Sequence, residues 1–139
     1  MTRITFISKI DFETMWNKEP PDNSVCISIN DPTTANLPCL DPRWMHSLMV
    51  NFYDYDTEED SGFDERFAKN ICEFVDFISK TNPKYIVVHC YAGISRSAAV
   101  AKFVSTIMNI RFPEHYSLYN KFVFNTLIKY WNRVYIYKE

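Results

Sequence analysis

Apolar residues recur along this chain in two rhythms, and the rhythms divide it into elements. At a period of two, Ile4 and Phe6 followed by Ile7 alternate with Thr5 and Ser8, and Val25, Ile27 and Ile29 alternate with small residues across 24–30. Both stretches predict strands. Two short apolar runs, 47–52 and 85–89, the second carrying Ile86, Val87 and Val88, are too short for helices and predict two more. At helical spacing Phe63, Phe67, Ile71, Phe74, Val75 and Ile78 predict an amphipathic helix over 64–79, with Ser61 as its cap. Asp11 opens a shorter helix over 11–18, and Ala98, Ala99 and Ala101 mark a small-residue helix beginning near 95–97. Tyr116, Tyr119, Phe122, Val123, Leu127, Ile128 and Trp131 predict a last helix over 114–134 that covers the core. Pro20-Pro21, Asn82-Pro83 and Phe112-Pro113 punctuate the pattern.

Strands separated by helices predict an α/β fold, with a central sheet of four or five mostly parallel strands flanked by helices. A chain of 139 residues supports one core, so 1–139 is expected to be a single domain. The 47% apolar content is ample for that core. One stretch has no periodicity: Asp31 to Arg43 carries Pro32, Pro38 and Pro42 and predicts a long surface loop, a common place for recognition. A net charge of −2 provides no general pull toward nucleic acid or an anionic membrane, so neither is an expected partner. Cys26, Cys39, Cys72 and Cys90 show no CxxC pairing and no zinc spacing. Cys72 lies beside the apolar face of the 64–79 helix, where packing explains it, and a disulfide from Cys26 or Cys39 to Cys90 stays open. His46 and His115 have no partners at metal spacing. With no apolar segment of signal or membrane-span length, a cytoplasmic location is expected.

The chemistry concentrates where the 85–89 strand ends. Cys90 to Arg96 join that strand to a helix N-terminus and include Gly93, one of two glycines in the chain. A glycine in so glycine-poor a sequence predicts a backbone need, either a left-handed conformation or a close approach. Amides from Tyr91 through Ala92, Gly93, Ile94 and Ser95 to Arg96 can form an anion-binding nest above the helix terminus. Arg96 adds a planar fork suited to two phosphate oxygens. A helix N-terminus and a neighbouring cation favour the thiolate, which makes Cys90 a candidate nucleophile toward a phosphate ester. Ser97 is positioned to stabilise that sulfur as a leaving group, His89 to orient the loop rather than act as a base, and Tyr91 to stand at the rim. Arg96 and the backbone supply the positive charge, so no metal or other cofactor is expected.

The pattern His89-Cys90-x-x-Gly93-x-x-Arg96-Ser97 resembles the signature of the cysteine-dependent protein tyrosine phosphatases. Ser95-Arg96-Ser97-Ala98-Ala99 is similar to the small dual-specificity branch and its short prokaryotic and phage relatives. From 52 to 110 the order of acid loop, amphipathic helix, strand, signature loop and helix is also similar, whereas the first 45 residues carry no such pattern. The resemblance implies metal-independent hydrolysis of phosphate monoesters through a phosphocysteine. It also implies an aspartic acid, upstream of the cysteine, that protonates the leaving oxygen and then activates water. Phe52-Tyr53-Asp54 matches the family's Phe-x-Asp, making Asp54 the favoured acid and Asp56 its rival, with the rest of the acidic run 54–60 read as a solvated tip. The implied substrate is a phosphotyrosine protein, with phosphoserine and phosphothreonine also possible in a shallow pocket. A phosphoinositide or RNA 5′-phosphatase is the alternative, disfavoured by the neutral loop, and a non-catalytic phosphate-binding module is a third reading.

Overall fold

The computed structural model describes residues 1–137. Strands β1 (Arg3–Ser8), β2 (Ser24–Asn30), β3 (His46–Asn51) and β4 (Tyr85–Cys90) form one sheet in the order β1-β4-β2-β3. Every pairing is parallel, in agreement with the expected architecture. All four carboxyl ends therefore point the same way, and register sets Ser8 opposite Cys90 and Asn30 opposite Asn51. That edge is where ligands bind in open parallel sheets.

Helices cover the two faces unequally. Three helices, α2 (Glu65–Ser79), α3 (Arg96–Met108) and α4 (Lys121–Trp131), pack with Val25, Ile27, Ile29, Ile86, Val88 and Cys90 into the main core. On the opposite face Cys26 and Val87 meet Phe12 and Trp44. Phe12 comes from the π-helical turn Phe12–Trp16, which continues the short helix α1 (Lys9–Asp11). Alternation along the strands thus sends Cys26 and Cys90 to opposite faces, and a disulfide between them is incompatible with the sheet. Cys72 is buried in the main core, as packing predicts, and Cys39 is exposed.

Three details depart from the expectations. The first helical segment begins at Lys9 rather than Asp11, because Ser8 Oγ accepts the Asp11 N–H at 3.2 Å. Asp64, not Ser61, caps α2 by accepting the Arg66 N–H at 2.9 Å, while Ser61 sits at φ 62° in the turn before it. The last helix starts at Lys121 instead of 114, with Asn120 Oδ1 accepting the Val123 N–H at 3.0 Å. The β2–β3 crossover, by contrast, carries no helix, in agreement with the loop expected over 31–43. Its prolines prevent one, and Asn17 holds it in place: Oδ1 accepts from the Asp41 amide and the Trp44 indole, both at 2.9 Å, and Nδ2 donates to the Cys39 carbonyl at 2.8 Å. Among the described residues no helix is long and apolar enough to cross a membrane.

Leu127 anchors α4 in the core and is fully buried. Leu127→Ala is expected to lower the unfolding free energy by about 2–5 kcal/mol, measured as a reduced urea midpoint with an unchanged slope.

Candidate active site

The site is built where β4 hands over to α3. Gly93 makes the bend at φ +74°, and a β-carbon there would lie 2.5 Å from the Ile7 carbonyl carbon, so both needs predicted for this glycine are present. The loop rests on the end of β1, where the Lys9 N–H donates to the Tyr91 carbonyl at 3.1 Å. Farther along, the Ile94 carbonyl accepts from the Tyr116 hydroxyl at 2.5 Å. The Ser95 carbonyl accepts from the Asn120 and Ala99 amides at 3.1 and 3.0 Å. These bonds tie the loop's carbonyls to surrounding elements, and at least the Gly93 amide turns toward its centre. The Gly93 N–H donates to Cys90 Sγ at 3.2 Å, and Ser97 Oγ lies 3.1 Å from the same sulfur. Cys90 itself is 2% exposed at the base of the loop, whereas Tyr91 and Ile94 stand out at the rim with 68% and 47% exposure.

Arg96 lies almost wholly inside. Its Nη1 donates to Asp31 Oδ1 and to the Phe52 carbonyl, each at 2.7 Å. Nε and Nη2 take no protein partner among the described residues, and neither is sealed from solvent. One corner of the guanidinium is therefore fixed to the ends of β2 and β3 while its other edge stays open to an incoming anion. Asp31 belongs to the loop expected to serve recognition, but its pairing with Arg96 has no sequence signal, since the two are 65 residues apart.

The two candidate acids separate cleanly. Asp54 follows the Phe52 carbonyl by two residues, and its Oδ1 accepts from Ser95 Oγ at 2.9 Å and from Asn120 Nδ2 at 2.7 Å. Asp56 lies beyond it on the exposed tip and makes no hydrogen bond to a described residue. A cleft of about 500 Å³ opens beside this pair, lined by Asp54, Tyr55, Asp56, Ser95, Tyr119 and Asn120 among others. Asn120 was missed as a site residue because the aromatic periodicity extended the last helix through it.

His89 is fully buried and stacked on Phe12 with ring centroids 4.3 Å apart. Its Nε2 lies 2.6 Å from Ser28 Oγ, which also accepts from Asn30 Nδ2 at 3.0 Å, and Nδ1 lies 3.3 Å from the Cys90 carbonyl. One tautomer satisfies the chain: Nδ1–H donates to the carbonyl and Nε2 accepts from the serine. Burial pushes the His89 pKa down to about 4, and the charges of Lys9 and Arg96 act in the same direction. A neutral imidazole with both nitrogens engaged orients the loop and is unavailable as a base. Neither other histidine hydrogen-bonds to the loop: His46 packs edge-on to Phe77 and His115 lies exposed.

No family model and no curated protein matches the sequence. Solved structures do share the architecture. Human tyrosine phosphatase-like serine/threonine/tyrosine-interacting protein aligns over 81% of this chain and 78% of its own, with a TM-score of 0.56 at 22% identity. Human DUSP28 aligns over 94% of this chain and 92% of its own, with a TM-score of 0.53 at 18% identity. The fold is that of the dual-specificity phosphatases. The loop that carries Cys90 connects β4, an interior strand between β1 and β2, to α3.

The buried histidine makes stability acid-sensitive. Its ordinary pKa is roughly 6.5, so as pH falls the unfolded chain takes up this proton before the folded one does. The contribution is complete above that value and is lost progressively down to about 4. Between pH 7 and 4.5 the wild-type protein should lose about 2–3 kcal/mol more unfolding free energy than His89→Gln. Urea titrations at the two pH values check this; equal losses would contradict it.

Proposed function

We propose that this protein hydrolyses phosphate monoesters through a phosphocysteine formed on Cys90, and that its substrates are proteins carrying phosphotyrosine, with phosphoserine and phosphothreonine also accepted. The observation that carries the reading is the convergence on one sulfur. Gly93 N–H and the Ser97 hydroxyl lie within hydrogen-bond reach of Cys90 Sγ, beside the open edge of a fixed Arg96. Together they stabilise negative charge on sulfur and leave a cradle above it for three phosphate oxygens.

In the first step the Cys90 thiolate attacks phosphorus in line with the ester oxygen. The P–O bond breaks, the leaving oxygen takes the proton of Asp54, and an S–P bond forms. Arg96 Nε and Nη2 bond two equatorial oxygens, and the loop amides take the remaining charge. In the second step a water gives its proton to the Asp54 carboxylate and attacks phosphorus. The S–P bond breaks, and Cys90 leaves as a thiolate that the Ser97 hydroxyl and the Gly93 amide stabilise.

Features of the rim support a protein substrate. Tyr91 and Ile94 present neutral, apolar surface for an aryl ring and its neighbours, and the nearest lysine, Lys9, is engaged by the Asn36 carbonyl. Polyphosphate head groups and RNA ends call for basic rims, which this loop lacks. The four free cysteines suit a reducing cytoplasm.

Purified protein should turn over p-nitrophenyl phosphate, and Cys90→Ser should abolish turnover. Asp54→Asn should lower the rate by about 10²–10⁴ on an aryl phosphate with a poor leaving group, whereas Asp56→Asn should leave it near wild type. Activity persisting in Cys90→Ser sinks the chemistry. A panel of phosphotyrosine and phosphoserine peptides, a phosphoinositide and an RNA 5′-triphosphate tests the substrate class; fastest turnover of either of the last two overturns it.

A further inference from the structure

Asn120 occupies a junction that the reaction as written does not use. Its side chain is almost buried, at 7% exposure. Oδ1 caps α4 by accepting the Val123 N–H, and the backbone N–H donates to the Ser95 carbonyl in the signature loop. Both hydrogens of Nδ2 are committed to the acid loop, one to Asp54 Oδ1 at 2.7 Å and one to the Tyr55 carbonyl at 2.9 Å. A single residue thus joins a helix terminus, the loop that carries Cys90, the Asp54 carboxyl and the Tyr55 carbonyl.

The consequence lies at the carboxyl group. Asp54 Oδ1 already accepts two hydrogen bonds, from Asn120 Nδ2 and Ser95 Oγ. Placing a proton on that oxygen would set it against both donors, whereas Oδ2 has no protein donor among the described residues. The two bonds also hold the side chain of a residue that is otherwise exposed, on a loop with few other ties to the signature loop. Without them the carboxyl samples several rotamers, most of which point its proton away from the departing oxygen.

We propose that Asn120 is the positioning residue for the general acid. Together with Ser95 it orients the Asp54 carboxyl so that the transferable proton rides on Oδ2, facing the leaving oxygen, and it does this from the cap of α4. The proposal rests on the phosphatase reading above. Asn120 touches neither substrate nor sulfur and acts through Asp54 alone. Its effect must therefore scale with how much the leaving group needs a proton, and it must vanish when Asp54 can no longer give one.

The test is a double-mutant cycle on two aryl phosphates, one with a good leaving group and one with a poor one. Asn120→Ser keeps a capping oxygen but removes both Nδ2 donors. Asn120→Thr likewise keeps a capping oxygen without an amide donor, so it carries the test if Asn120→Ser fails to fold. Each is expected to lower kcat on the poor leaving group by about tenfold, the value of a hydrogen bond to a charged group, and to change kcat on the good one less than twofold. In an Asp54→Asn background either substitution should cause no further loss. Equal losses on the two substrates, or additive losses with Asp54→Asn, would overturn the proposal and reduce Asn120 to a structural cap. Wild-type protein inactive on both substrates would instead overturn the phosphatase reading on which it rests.

Discussion

A guanidinium largely removed from water requires a counter-charge and hydrogen-bond partners for the corner it buries, and the way Arg96 meets that requirement at Nη1 organises the rest of this structure. Its side chain is 7% exposed, and Nη1 is bonded at once to Asp31 at the end of β2 and to the Phe52 carbonyl at the end of β3. Burying the charge is tolerable only while both strand ends are in place. Conversely, the two strand ends are held to the first turn of α3 by that charge. The parallel sheet makes this possible because all of its carboxyl ends meet at one edge, so residues 31, 52 and 96 are brought together despite their separation in sequence.

Around this anchor the signature loop is suspended from the outside. β1 and the start of α1 hold it at Tyr91, the irregular segment before α4 at Ile94, and the α4 cap at Ser95. Each bond engages a loop carbonyl from a surrounding element, while the Gly93 N–H reaches inward to the sulfur. Beneath the loop, His89 transmits order in a different way. Its neutral ring is locked between Ser28 and the Cys90 carbonyl, so the fully buried β2 contributes to the position of the Cys90 backbone. The polar residues Ser28 and Asn30 in that strand are buried because they complete this chain of bonds.

Much of this was legible in the chain itself, and the division between what was and was not follows from range. Periodicity located the four strands and α2 to within a residue or two, because burial of one face repeats locally. Residues 89–97 stood out as a candidate site because thiol, bend, cation and helix start are contiguous, and Phe52-Tyr53-Asp54 carried a strand end and a carboxylate in three residues. What escaped depends on contacts between distant segments. Asp31 looks like any acid at the start of a proline-rich loop until β2 brings it beside Arg96. Asn120 was hidden by an aromatic pattern that continues at helical spacing from Tyr116, although Tyr116 in fact turns aside to the Ile94 carbonyl and the helix begins only at Lys121. A hydrophobic period cannot register a cap when apolar residues lie on both sides of it.

The account stands or falls on whether phosphorus is transferred to sulfur in this loop. Rapid acid quenching of Asp54→Asn during turnover of an activated aryl phosphate, followed by peptide mass analysis, measures that directly, because loss of the water-activating carboxylate slows the second step and lets the intermediate accumulate. The account predicts the mass of one phosphoryl group on the peptide containing Cys90, formed in a burst with release of the phenol. Release of phenol with no modified Cys90 peptide, or with the phosphoryl group on another residue, would contradict it.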